Sequence, residues 1–203
     1  MAVLDIRVLG DPVLRERTAP LAAVTDEMRT LIDDMFETMY AAEGIGLAAP
    51  QVGRRERIFV ADVDGTPYVF VNPEIVASEG SERGEEGCLS IPDIFGDVDR
   101  ATWVHARALD RDGNAFEMEA TGLLARCILH ELDHLDGKLF IDYLSLLKRK
   151  FVLRGWEREV SKYPNFVRKL DPTAPRGRSR RRAREEQQAA ASDPTAPPFE
   201  PEL

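Results

Sequence analysis

The chain is predicted to form an α+β domain, with antiparallel strands packed around a central helix, one helix ahead of them and another behind. Three observations predict it. Residues 28–40 repeat apolar side chains at helical spacing, residues 57–120 are strand-like about a hairpin turn, and residues 123–137 form a largely apolar stretch closed by glycine. In chain order, Thr25 suits an N-cap and Asp26 and Glu27 a first turn. Met28, Leu31, Ile32, Met35, Phe36, Met39 and Tyr40 then share one core-facing stripe that stops near Gly44. RIFVAD, YVFVN, IVASEG, TWVHARALD and NAFEMEA read as strands, the last two joined at Arg111-Asp112-Gly113, a hairpin-type turn. LLARCILHELDHLDG reads as the second helix, with Gly137 just past its end, and the segment after Ser145 reads as the third. A helix packed on a sheet follows from that order.

The length of 203 residues, with 43% apolar and 31% charged content, suits one domain with a single core. No apolar run reaches the length of a membrane span, and Asp5 and Arg7 interrupt the first apolar stretch, so a cytoplasmic protein with no membrane partner is expected. Two cysteines far apart argue against a disulfide framework. The net charge of −9 lies wholly in residues 1–170, which hold 21 basic and 30 acidic side chains, so that part is not expected to bind DNA through bulk charge. Residues 171–203 are expected to be a disordered tail rich in Arg, Pro and Ala. Its cluster at Arg176, Arg178, Arg180, Arg181, Arg182 and Arg184 is a candidate tether to RNA phosphates.

His130-Glu131-Leu132-Asp133-His134 places two imidazoles four residues apart, one turn along a single helix face, where they can share a metal ion. The central helix is therefore expected to be a metal-binding helix. Glu131 lies in the same turn, where a carboxylate can take a proton from water at the metal. A catalytic site needs a third protein ligand. Cys127 shares the face, but it stands seven residues before His134, a rise of about 10.5 Å, and reads better as buried packing. Cys88, in Glu-Glu-Gly-Cys-Leu-Ser between strand-like segments, can reach the helix from a neighbouring strand. A metzincin pattern fails because Phe140 stands where a histidine is required. A thermolysin-like metallopeptidase with Glu157 or Glu159 as third ligand stays open, although both glutamates suit a solvated face. Residues 44–53 lack the spacing of a dinucleotide fingerprint; their small residues let backbone lie close to a partner, and Gln51 offers an amide donor. His105, on a strand away from these motifs, reads as a surface histidine, and Glu86 and Arg100 are candidates to pair near the site.

GIGLAAPQ at 44–51, EEGCLS at 85–90 and HELDHLDG at 130–137, in that order, closely resemble the peptide deformylases over about residues 1–165. The resemblance implies hydrolysis of the formyl group from the formyl-methionine of nascent peptides, with release of formate. It implies Cys88, His130 and His134 as metal ligands, Glu131 as general acid/base, and Gln51 with the Leu89 backbone N–H as donors to the formyl oxygen. Ile45 and Gly46 are implied to line the peptide groove, and Ile45, Leu123 and Leu124 are candidates for an apolar methionine pocket. Ligand type alone suggests Zn2+, whereas the resemblance implies Fe2+, with Ni2+ or Co2+ as workable substitutes. A nascent-chain substrate makes the ribosome the expected partner of the basic tail. Two departures from the family pattern stand at Asp93, where Gly is usual, and Asp99, where Pro is usual.

Overall fold

The computed structural model describes residues 2–63 and 65–171. Along the chain run β1 (Ile6–Arg7), α1 (Asp26–Ala41), β2 (Gly46–Ala48), β3 (Ile58–Val63), β4 (Thr66–Glu79), β5 (Glu82–Cys88), β6 (Ile91–Arg100), β7 (Trp103–Leu109), β8 (Ala115–Thr121), α2 (Gly122–Leu135), α3 (Leu146–Glu159) and β9 (Val167–Arg168), with short 3-10 turns between. Five strands form one antiparallel sheet in the order β2-β3-β4-β7-β8, while β5-β6 and β1-β9 are separate two-stranded ribbons. The α+β expectation holds. The basic tail falls almost wholly outside the described residues.

Strand alternation decides what lies on each side of the sheet. On β3, Phe59, Ala61 and Val63 join Phe70 of β4 and Ala125 and Ile128 of α2 in one core. Ile58 and Val60 point the other way, into a second core with Met28, Leu31, Ile32, Met35 and Met39 of α1. Helices thus cover both faces, where the sequence suggested one. A third core, under β5-β6, gathers Ile91, Val98, Leu139, Phe140, Ile141 and Trp156. Glu86 of the ribbon meets Arg126 and His130 of α2, so α2 lies between the ribbon and the large sheet.

The caps follow the sequence. Thr25 accepts from the Met28 amide at 3.3 Å, Ser145 accepts from that of Lys148 at 3.4 Å, and Gly137 takes φ +72° just after α2. As expected, α1 stops just before Gly44, with Glu43 at φ +58° in the left-handed conformation. RIFVAD and NAFEMEA become β3 and β8, but YVFVN and IVASEG merge into the single strand β4, irregular beside Asn72 at φ +53°. The expectation missed the ribbon: residues 82–88 and 91–100 pair as β5 and β6. Asp93 there adopts φ +60°, the conformation that suits the glycine usual in the family, and aspartate is among the few other residues that tolerate it.

Candidate metal centre

The ligand atoms of Cys88, His130 and His134 lie within 4.8 Å of one another, the only such trio among the described residues. Each arrives from a definable place. Cys88 ends β5, in the inward row Gly84, Glu86, Cys88, and the helical period of α2 aims both histidines at it. The Cys88 Sγ is 3.2 Å from His134 Nε2, and the two imidazoles meet edge to face with centroids 5.0 Å apart. His130 uses Nδ1 on Glu86 Oε2 at 2.9 Å, which leaves Nε2 as its ligating atom.

The donor set fits a divalent ion. Burial, together with the charges of His130 and Arg100, holds His134 well below its ordinary pKa, so it stays neutral with a lone pair to offer. At His130 burial acts in the same direction, but hydrogen bonds with Cys88 and Glu86 outweigh it and favour positive charge there, the place a shared cation would take. One thiolate and two imidazoles match zinc, iron, nickel and cobalt. Burial raises the Glu131 carboxyl to about 7, assisted by the charge of Glu86 and opposed by that of His130, and its Oε2 has no hydrogen-bond partner among the described residues. Glu131 also lies against Gly46, where a Cβ would meet Cys127 Sγ at 2.8 Å, so only glycine lets β2 come this close to α2.

Gln51 is buried. Its Oε1 accepts from the Ala48 amide at 2.7 Å, which turns Nε2 toward Cys88 Sγ at 3.6 Å and Ser90 Oγ at 3.3 Å. Leu89 occupies the turn after Cys88, over Gly44, where an added Cβ would lie 2.8 Å from Leu89 Cδ1. Ile45 accepts at its carbonyl from Cys127 Sγ at 3.5 Å, and Leu123 and Leu124 pack half-buried against the core of α2. Cys127 is buried and outside the ligating trio, as its packing reading requires. His105 pairs with Glu117 at 3.0 Å on the sheet, outside the ligating trio.

Behind the ligands stands a network the sequence showed only in part. Arg100 donates to Glu86 at 2.8 and 3.0 Å and to Asp133 at 2.6 Å, and Tyr143 donates to the other Asp133 oxygen at 2.8 Å. Burial opposes charge on Glu86, but hydrogen bonds from His130 and Arg100 prevail and hold it near 2. Glu86 is therefore a fixed carboxylate that orients the His130 ring. Arg126 also reaches Glu86, at 3.0 Å, a contact that sequence reasoning missed because no spacing rule links residues forty apart.

Residues 3–150 match the polypeptide deformylase family. A peptide deformylase of Alkalilimnicola ehrlichii is 57% identical over 164 residues, 79% of this chain and 92% of that protein. The crystal structure of a peptide deformylase from Legionella pneumophila superposes with TM-score 0.75 at 46% identity, covering 79% of this chain and 98% of that one. That of a peptide deformylase from Ehrlichia chaffeensis in complex with actinonin gives 0.76 at 40% identity, covering 78% and 98%. The metallopeptidase alternative is not favoured: Glu157 is exposed, Glu159 pairs with Lys162, and neither joins the ligating trio. With its ligating trio set between ribbon and helix, and with this match along most of its length, the chain belongs to the polypeptide deformylase family.

Proposed function

We propose that the chain hydrolyses the formyl amide of N-formyl-methionine on newly made proteins in the cytoplasm, releasing formate and a free amine. The observation that carries this is the convergence of Cys88, His130 and His134 within 4.8 Å, beside a buried Glu131 raised to about 7. These three residues are the metal ligands. A divalent ion held there would supply positive charge to the formyl carbonyl and make water a better nucleophile. Glu131 takes the proton of the attacking water and passes it to the leaving nitrogen, a task suited to a carboxyl that titrates near neutrality. Gln51 Nε2 and the Leu89 N–H donate to the developing oxyanion, each contributing about 3 kcal/mol. Ile45 and Gly46 line the peptide groove, with Leu123 and Leu124 beside them for the methionine side chain. Fe2+ is the metal assigned, on family grounds. No helix among the described residues is long and apolar enough to cross a membrane.

The test is formate release from a formyl-Met peptide, measured alongside cleavage of long unformylated peptides. Stoichiometric formate with intact long peptides is expected; internal cleavage would restore the metallopeptidase reading. Protein stripped of metal and rebuilt without oxygen should be fast with Fe2+, Ni2+ or Co2+ and slow with Zn2+. Only the iron form should fade in air, because the Cys88 thiolate then lies beside a redox-active ion. Equal rates for zinc and iron without decay overturn the iron assignment.

A further inference from the structure

Cys88 is carried by a ribbon that shares no hydrogen-bond ladder with the five-stranded sheet, whereas both histidines are carried by α2. The two supports must be fixed to one another by side chains. At the Cys88 end Ile91 packs into a core with Leu139, Phe140 and Ile141, the segment that follows α2. At the far end two guanidiniums do it: Arg100 of β6 donates to Asp133 of α2 at 2.6 Å, and a second crosses from the helix to the ribbon. Arg126, on α2 four residues before His130, donates from Nη1 to Val98 O at 2.9 Å and reaches Gly84 O at 3.5 Å. Its Nη2 donates to Glu82 O at 2.7 Å, so backbone carbonyls of both strands are tied to the helix. Nη1 also donates at 3.0 Å to Glu86 Oε1, the carboxylate whose other oxygen holds His130.

Gly84 makes this possible. A Cβ there would lie 2.9 Å from Arg126 Nη2 and 3.0 Å from Cζ, so the guanidinium can lie across the ribbon only where the strand has no side chain. The planar five-donor fork of arginine suits several acceptors at once, and a lysine ammonium is too compact to reach both strands. Cys88 lies four residues further along the same inward row, about 13 Å away, so a tilt at Gly84 becomes a displacement of the sulfur.

We infer that Arg126 and Gly84 form a strap that positions Cys88 against the histidines, making Arg126 a positioning residue for the metal centre. The inference rests on the ligand assignment proposed above. It is tested on the full chain loaded with Co2+, using the thiolate-to-cobalt absorption and the rate of cobalt loss to excess EDTA. Arg126→Leu should release cobalt at least about tenfold faster and weaken the thiolate absorption, the size of effect seen when a group supporting a ligand is removed. Gly84→Ala, which displaces the guanidinium but keeps its charge, should act in the same direction and carries the test if Arg126→Leu does not fold. The double variant should release cobalt no faster than Arg126→Leu alone, since both changes break one contact. Arg126→Lys should recover little. A purely structural role would lower the unfolding midpoint and leave the thiolate absorption unchanged. Absence of that absorption in the unmodified chain overturns the ligand assignment and the strap together. Its presence, with wild-type cobalt release in Arg126→Leu and Gly84→Ala, overturns the strap alone, as does full recovery by lysine.

Discussion

Replacing Glu131 by glutamine keeps the shape of the side chain and removes only its capacity to exchange a proton. Glu131→Gln should fold, keep its metal and lose about two to three orders of magnitude in turnover. Near-normal turnover in that variant would remove Glu131 from its role. The cysteines separate in the same way. Cys88→Ser should lose metal and activity, while Cys127→Ser should keep both, because its buried sulfur donates to the Ile45 carbonyl and lies outside the ligating trio; metal analysis of the two proteins decides it. Much of this site was legible in the sequence, since two histidines and a carboxylate in one helical turn have few other uses. Cys88 needed a second motif to single it out. The pairing of Glu86 with Arg100 was foreseen and holds; the hidden part was Arg126 and Asp133, which join that pair through tertiary contacts that leave no periodic trace.

Among the elements, α1 was legible because it buries one apolar stripe at the helical period, the large sheet because apolar strand-formers run between turn residues, and α3 from its Ser145 cap. The β5-β6 ribbon was not, and its inward row explains why: Gly84, Glu86, Cys88 and Arg100 face the helix, so a polar, glycine-bearing segment looks like a loop. Charged groups are tolerated there because they pair with one another and with Asp133. A second polar junction ties three elements. Asp142 accepts from the Leu139 amide at 2.9 Å and from Arg15 near the N-terminus, and forms an ion pair with Arg149 of α3 at 3.0 Å. Burial alone would raise its pKa, but the Arg15 hydrogen bond and the Leu139 amide outweigh burial and hold it below the usual 3.8. With the folded value depressed, its stabilising contribution is complete above the unfolded value and lost as pH falls through the folded one. The stability gap between the unmodified chain and Asp142→Asn should therefore hold steady from about pH 7 to 5 and shrink below about pH 4. A gap unchanged down to about pH 2 in chemical denaturation would show that the carboxylate charge is not its source.

For the whole molecule, charge is divided along the chain: the net −9 belongs to residues 1–170, and the arginine cluster stands in the tail. The tail should therefore matter for where the enzyme acts and not for how. Deleting residues 171–203 should leave formate release from small peptides unchanged while weakening a salt-sensitive association with ribosomes. Co-sedimentation at low salt that survives the deletion would sink the tether.

The ribbon β1-β9 pairs Ile6 with Arg168 and Arg7 with Val167, joining the two ends of the described chain through four residues. Closing so long a loop costs configurational entropy, and so short a ladder returns few hydrogen bonds. The molecule thus closes on itself at a seam, which Val8 and Leu9 extend by bonding to Phe166 and Trp156. Opening there frees the two ends from one another while the five-stranded sheet, α1 and α2 keep their own cores. Amide hydrogen exchange should show this as weaker protection at Ile6 and Arg168 than within α2.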